Sequence, residues 1–422
     1  MRIIFGVLFS ALLLWGSDAT IEVRKSVDSL PSIAVEDATS DYQDGLSNRF
    51  FRVMVSDLNV LSIFKVDRDY VRTGFGDENV ADEHKEIDYV VRYQLVDDNG
   101  VMVVNVNLIN SDKVMHTLNY RIKNPKQYVF LVHTIAAAIN DFMGADPVDW
   151  IKEKVIISRT TGPGTSEILI TDYTLSYQFS VKRSGLNVFP KWTDREKKYF
   201  YYTNLSSGKP ELSKHGVNDQ SDVLVLTSDG MLVCSDVSED GQKLLLTMAP
   251  EGQPDVYEYD VASKQVKKVT KYSGIDVNAQ YMADGRVAFV SNRLGYPNIF
   301  SKKTTSQATE QMVYVGKSNS ACTAHGNYII YKARESSNAF SKNTFNLHLI
   351  STKTDFIRRL TVTGINEHPL FSSDGGTFLF VQKYKNQSSI GVIRLNQRTN
   401  YLFPLKCGLL QSFDRWFAPS AF

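Results

Sequence analysis

The run Met231-Leu232-Val233-Cys234-Ser235-Asp236-Val237-Ser238-Glu239-Asp240-Gly241 is followed by three more short extended runs, 243–248, 256–261 and 265–270. Turns at 250–254 and at Ala262-Ser263-Lys264 separate them, and every run is bounded by Gly, Pro, Asp or Ser. This is the pattern of a four-stranded antiparallel meander. Such a sheet leaves two open edges and is marginal alone in water, so it needs neighbours of its own kind.

The chain supplies them. Asp240-Gly241 recurs at Asp284-Gly285 and Asp374-Gly375, the first interval being about 45 residues and the second about twice that, a period in the range of propeller blades. His325-Gly326 stands where the skipped copy belongs. Each copy leads into an apolar run (287–291, 328–332, 377–382), a second run (298–302, 346–351, 389–395) and a closing one (311–315, 357–361, 401–405). One period upstream, Pro190-Lys191-Trp192-Thr193-Asp194 opens a further unit. An array of about six blades is expected.

A content of 43% apolar and 22% charged residues is that of an ordinary globular protein, and the 11% of aromatic residues suits a β-rich fold. The net charge of +1 gives no bulk attraction to nucleic acid or an anionic surface, so those partners are not expected. Arg2, the apolar run from Ile3 to Trp15 and Ser17-Asp18-Ala19 read as an export signal over residues 1–19. A buried N-terminal helix or strand is the alternative. The apolar run is too short to span a bilayer, and no Cys follows it to take a lipid. Cys234, Cys322 and Cys407 fall in different blades without metal-ligand spacing and read as small buried apolar residues.

Residues 20–31, Thr20-Ile21-Glu22-Val23-Arg24-Lys25-Ser26-Val27-Asp28-Ser29-Leu30-Pro31, alternate apolar and polar but have no local partner. They read as a mobile segment, an edge strand for the next domain or a peptide for another protein's sheet. Residues 32–150 form an α+β domain: a strand at 32–35, a helix over 41–58 capped by Ser40, a short strand at 63–66, and a meander of 87–96, 101–109 and 114–122 turned at Asn99-Gly100. A second helix follows Asn124-Pro125 and ends at Gly144. Residues 145–153 are a short joint, so the two domains should touch. The propeller, 151–422, then begins with three strands, 154–159, 167–171 and 177–182, that lack an opening partner. The C-terminal stretch Ser412-Phe413-Asp414-Arg415-Trp416-Phe417-Ala418-Pro419 has the look of that opening strand and would close the ring.

These features together resemble the TolB family of the Tol-Pal system. The sharper matches are Glu22-Val23-Arg24, Ile87-Asp88-Tyr89-Val90-Val91, Tyr93-Gln94-Leu95-Val96-Asp97, His133-Thr134 and Ile170-Thr171-Asp172-Tyr173. The family's blade opening, Pro-x-Trp-Ser-Pro-Asp-Gly, survives in pieces: Pro190, Trp192 and Asp194; Ser238 with Asp240-Gly241; Pro369, Ser372 and Asp374-Gly375. The resemblance implies a monomeric, non-enzymatic periplasmic scaffold without cofactor, which joins TolA to the lipoprotein Pal, supports envelope constriction at division and is bound by some colicins. It puts TolA on the mature N-terminus, here Thr20, Ile21, Glu22, Val23, Arg24, Val27 and Asp28. It puts Pal on the loops entering the innermost strands, here Met231, Val277, Asn278, Glu367 and His368.

The competing reading is an enzyme, because related lyase propellers hold a metal on histidines in the central channel. Of the seven His, only His325 and His368 fall beside innermost strands, and no third ligand accompanies them. Ser62-Ile63-Phe64-Lys65 matches a Ser-x-x-Lys tetrapeptide without its companion elements, and no Gly-x-Ser-x-Gly elbow occurs.

Overall fold

The computed structural model describes residues 30–42, 45–304, 308–316, 318–335, 344–354 and 356–415. The TolA-binding positions expected at 20–28 and the export signal lie outside them.

In the N-terminal part, Ser32–Asp37 is flanked by the two-residue strands Lys65–Val66 and Val71–Arg72 and by Tyr89–Asp98, all parallel to it. The antiparallel meander Tyr89–Asp98, Val101–Asn110, Lys113–Ile122 completes the sheet. Asn99 and Gly100 both have positive φ, 54° and 84°, as the two central residues of a type I′ turn require. Helix α1 (Leu46–Leu61) carries Leu46, Phe50, Met54, Leu58 and Leu61 on one buried stripe. It starts five residues later than the expected Asp41, on Gly45 with φ 72° and without a side-chain cap, and runs past Leu58 to Leu61. Ser40 caps nothing because the apolar periodicity that drives the helix begins only at Leu46. Ahead of helix α2 (Tyr128–Phe142), the Asn124 side chain accepts the Lys126 N–H at 3.1 Å and Pro125 opens a short 3₁₀ turn. No described helix is long and apolar enough to cross a membrane.

The rest is four-stranded antiparallel sheets. The first is Asn187–Trp192, Tyr199–Asn204, Glu211–Gly216 and Asp222–Thr227; the second Leu232–Val237, Lys243–Met248, Asp255–Asp260 and Val266–Lys268; the third Asp276–Tyr281, Arg286–Ser291, Asn298–Lys303 and Glu310–Gln311. The fourth, Asn319–His325, Tyr328–Arg334, Phe345–Ser351 and Ile357–Arg359, touches the fifth, Ile365–Phe371, Thr377–Tyr384, Gln387–Arg394 and Thr399–Pro404, through the single bridge Phe345↔Ile365. In the sixth, Leu409–Asp414 pairs antiparallel with Val155–Gly162, followed by Thr165–Thr171 and Gln178–Lys182. The end of the described chain thus opens the sheet begun just after the N-terminal domain. Its strand starts three residues before the expected Ser412 and stops at Asp414, and Trp416 to Pro419 lie outside the described residues. The register follows burial, since Leu410 and Phe413 both join the apolar cluster beneath.

That cluster holds the two halves together. Phe50 and Met54 of α1 and Val132 and Ile135 of α2 belong to the same buried group as Trp150, Ile157, Leu379 and Val392.

Candidate protein-docking site

The first strand of every sheet lines one central cavity of about 110 Å³, through Lys191, Cys234, Gln280, Cys322, His368 and Phe413 in turn. Each of these innermost strands is bulged: its pairing slips at Val188/Lys191, Cys234/Asp236, Val277/Gln280, Ser320/Cys322, Glu367/Leu370 and Leu410/Ser412. Four bulges hold a residue in the left-handed region, Phe189, Asn278, Ala321 and His368, at φ between 45° and 54°. For a side chain the size of Phe or His such a φ is strained and must be held by its surroundings.

A bulge frees backbone N–H groups from the ladder, and buried N–H groups need partners. The neighbouring sheet provides them. Asn278 N–H donates to Thr247 Oγ1 at 3.1 Å and Tyr281 N–H to Asp236 Oδ2 at 2.8 Å. Phe189 N–H donates to Ser412 Oγ at 3.1 Å and Trp192 N–H to Asp414 Oδ2 at 3.0 Å. Asp236 and Asp414 also flank Lys191, whose Nζ lies 2.9 Å from Asp414 Oδ1. Burial alone would lower the Lys191 pKa, but the two carboxylates outweigh it and hold the ammonium charged. Burial pushes Asp236 up to about 6.

The five positions expected to meet Pal share one end of this cavity, though only one of them is in a loop. Met231 is in a loop and half exposed. Val277, Asn278, Glu367 and His368 sit on innermost strands, at or beside the bulges, and Asn278 and His368 line the cavity itself. The bulge makes the difference, because it turns residues of a strand toward the channel. The opposite end is covered by the joint and by the end of α1: Lys197 pairs with Glu153, the Arg415 guanidinium stands 6.0 Å from the Trp150 ring, Gln397 donates to Asp146 at 3.2 Å, and the Arg394 guanidinium donates to Leu61 O.

The chain is 40% identical to the Tol-Pal system protein TolB of Wolinella succinogenes, over 98% of this chain and 100% of that one. It is also 40% identical to the TolB of Campylobacter jejuni, over 95% of this chain and 96% of the relative. The family model described as the TolB beta propeller domain matches residues 155–413. The chain belongs to the TolB family. The crystal structure of TolB from Acinetobacter baumannii, 21% identical, covers 92% of this chain and 97% of its own length with a TM-score of 0.73, a likeness of fold.

TolB proteins are non-enzymatic envelope components of the Tol-Pal system. The lyase-like alternative would need a set of metal donors, and among the described residues no group of three or more His, Cys, Asp or Glu side chains is arranged to hold a metal ion. Cys234 and Cys322 are buried and free, as read from the sequence, whereas Cys407 is exposed. Three lysines near the channel were not read as site residues in the sequence: Lys191 lines the cavity, and Lys332 and Lys383 both reach Glu367. Their spacing carries no motif, and only the pairing of strands within each sheet brings them there. For the bulges a signal was present, since Phe189-Pro190 and His368-Pro369 put a residue without N–H at the place where the ladder breaks.

Proposed function

We propose that this TolB-family chain works in the periplasm as the link between TolA and Pal, holding Pal at the open mouth of the propeller and TolA through residues 20–30. In that role it supports outer-membrane integrity and constriction at division. The observation that carries the reading is the surface of the mouth. Met231, Ile275, Val315 and Val362 lie just ahead of four innermost strands and Leu409 begins a fifth, and all five are exposed. Large apolar side chains gathered on one otherwise polar face mark a protein interface. With the N-terminal domain on the other end, the mouth is the face left open to a partner.

The alternation of Thr20-Ile21-Glu22-Val23-Arg24 suits strand addition, in which backbone hydrogen bonds give affinity and alternate side chains give register. The test uses the mature chain with soluble Pal and TolA from the same bacterium. Met231→Asp or Asn278→Trp should weaken Pal by about tenfold or more and leave TolA unchanged, while deletion of residues 20–30 should abolish TolA binding and spare both Pal and the melting temperature. Undiminished Pal binding by both mouth variants would remove the mouth from consideration, and loss of both partners together would indicate misfolding.

A further inference from the structure

Three charged side chains at the mouth form an unequal group. Lys332 Nζ lies 3.1 Å from Glu367 Oε1 and Lys383 Nζ lies 2.7 Å from Oε2. One carboxylate serves two ammonium groups, which leaves a positive charge in surplus. The Lys332, Lys383 and Glu367 side chains are 17%, 34% and 20% exposed, so they sit where water screens charge poorly. Lys383 and Lys332 hold Glu367 down to about 2 against burial, which alone would raise it. Register puts the group at the rim, since Lys383 pairs with Ile365, which begins its innermost strand, and Lys332 with Ser320, next to the start of its own.

His368 follows Glu367 into the cavity. Burial, reinforced by Lys383, Lys332 and Lys191 against the opposing pull of Glu367, holds its pKa down to about 4, so the ring is neutral at pH 7. Deeper stand Lys191, Asp414 and Asp236, with Cys234 and Cys322, whose thiols burial keeps protonated. A cation arriving at the rim meets surplus positive charge. A carboxylate meets two half-dry ammonium groups and a neutral imidazole, and goes no deeper because Asp236 and Asp414 repel it.

We propose that the rim of the channel receives an acidic side chain, a Glu or Asp projecting from the protein that covers the mouth, seated on Lys332 and Lys383 beside His368. The proposal rests on the mouth being the Pal site. In the free chain Glu367 occupies the place of that carboxylate, and the partner's acid competes with it for the two lysines. Glu367 is then a competitor for the site and not a contact.

The test is a calorimetric titration of the mature chain with soluble Pal from the same bacterium at low and high salt. Glu367→Gln should tighten binding by about three- to tenfold, and Lys332→Met with Lys383→Met should weaken it by about tenfold or more and flatten its salt dependence. Weaker or unchanged binding by Glu367→Gln overturns the proposal. Because that variant leaves two lysines facing each other and can loosen the fold, Lys383→Met alone, which leaves Lys332 its carboxylate, gives a second measure. Weakening at an unchanged melting temperature supports the site, and equal affinity at both salts overturns it. If Pal fails to bind the unsubstituted chain, the docking reading itself falls; if it binds and ignores all three substitutions, only the carboxylate site falls.

Discussion

His133 joins three elements that lie far apart in the chain. Its Nδ1 is 2.7 Å from Asp57 Oδ2 on α1, its Nε2 is 3.3 Å from Asp172 Oδ2 in the turn after Thr165–Thr171, and Tyr173 OH donates to Asp57 Oδ1 at 2.6 Å. His133, Asp57, Asp172 and Tyr173 are all fully buried. Burial would lower the His133 pKa, but Asp57 and Asp172 together raise it to about 9. Asp172 is lowered by the same imidazolium against its burial, while Asp57 is raised by burial. A base whose folded pKa lies above its ordinary value of about 6.5 gives its full stabilisation below that pH and loses it as pH rises through the folded value. Stability should therefore fall by about 3 kcal/mol between pH 6.5 and 9.5, and the Asp172 share should be lost separately, at acid pH, as the pH falls through its lowered pKa. His133→Gln, which leaves the two carboxylates facing each other, should cost about 3–5 kcal/mol at pH 7 and remove the alkaline decline. Denaturant melts across this range decide it, and equal wild-type stability at both ends would rule out the imidazolium. His133-Thr134 and Asp172-Tyr173 were both legible in the sequence as family-like residues. That they touch was not, because nothing local encodes a contact between a helix and a turn of the next domain.

The innermost strands show what periodicity reveals about an element and what it leaves out. Alternation and turn residues marked the strands near their observed places, since a half-buried strand must alternate and a turn must release the chain. The bulges left no trace beyond the prolines at 190 and 369, because a bulge is a choice of backbone register, made only when the neighbouring sheet can take the freed N–H groups. Asp414 carries the largest such load: it accepts from Trp192 N–H and pairs with the buried ammonium of Lys191. Asp414→Ala should destabilise the protein by about 3–5 kcal/mol, since it strands both groups. Ser412→Ala, which strands only the Phe189 N–H, should cost about 1–3 kcal/mol. Adding Lys191→Met to the Asp414→Ala variant should recover part of the loss, because an apolar side chain no longer needs the carboxylate. A denaturant midpoint that does not move back would mean that the Trp192 hydrogen bond, and not the ion pair, ties the first sheet to the sixth.

At the scale of the molecule, the short joint at 145–153 foretold contact between the domains but not a common core. The joint itself is part of that core: Val148, Trp150 and Ile151 are buried with residues of both helices and of the fifth and sixth sheets. Tyr173 packs edge-on against both Trp150 and Phe403, each at 5.2 Å. Polar contacts seal the rim of the same interface, with Ser62 Oγ 2.8 Å from Thr399 Oγ1 and Tyr401 OH donating to Asn59 O at 2.7 Å. Two domains that share one apolar cluster cannot open separately without exposing it, so they should unfold as a single cooperative unit. Hydrogen exchange in increasing denaturant should then bring the amides of α2 and of Thr377–Tyr384 to one common opening free energy and one common denaturant dependence. Trp150→Ala cuts the middle of the cluster and should cost about 3–5 kcal/mol. If the halves are coupled through this cluster, the same substitution should also part the two sets of amides, with α2 opening first. Two distinct openings in the unsubstituted protein would mean that the N-terminal domain only rests against the propeller.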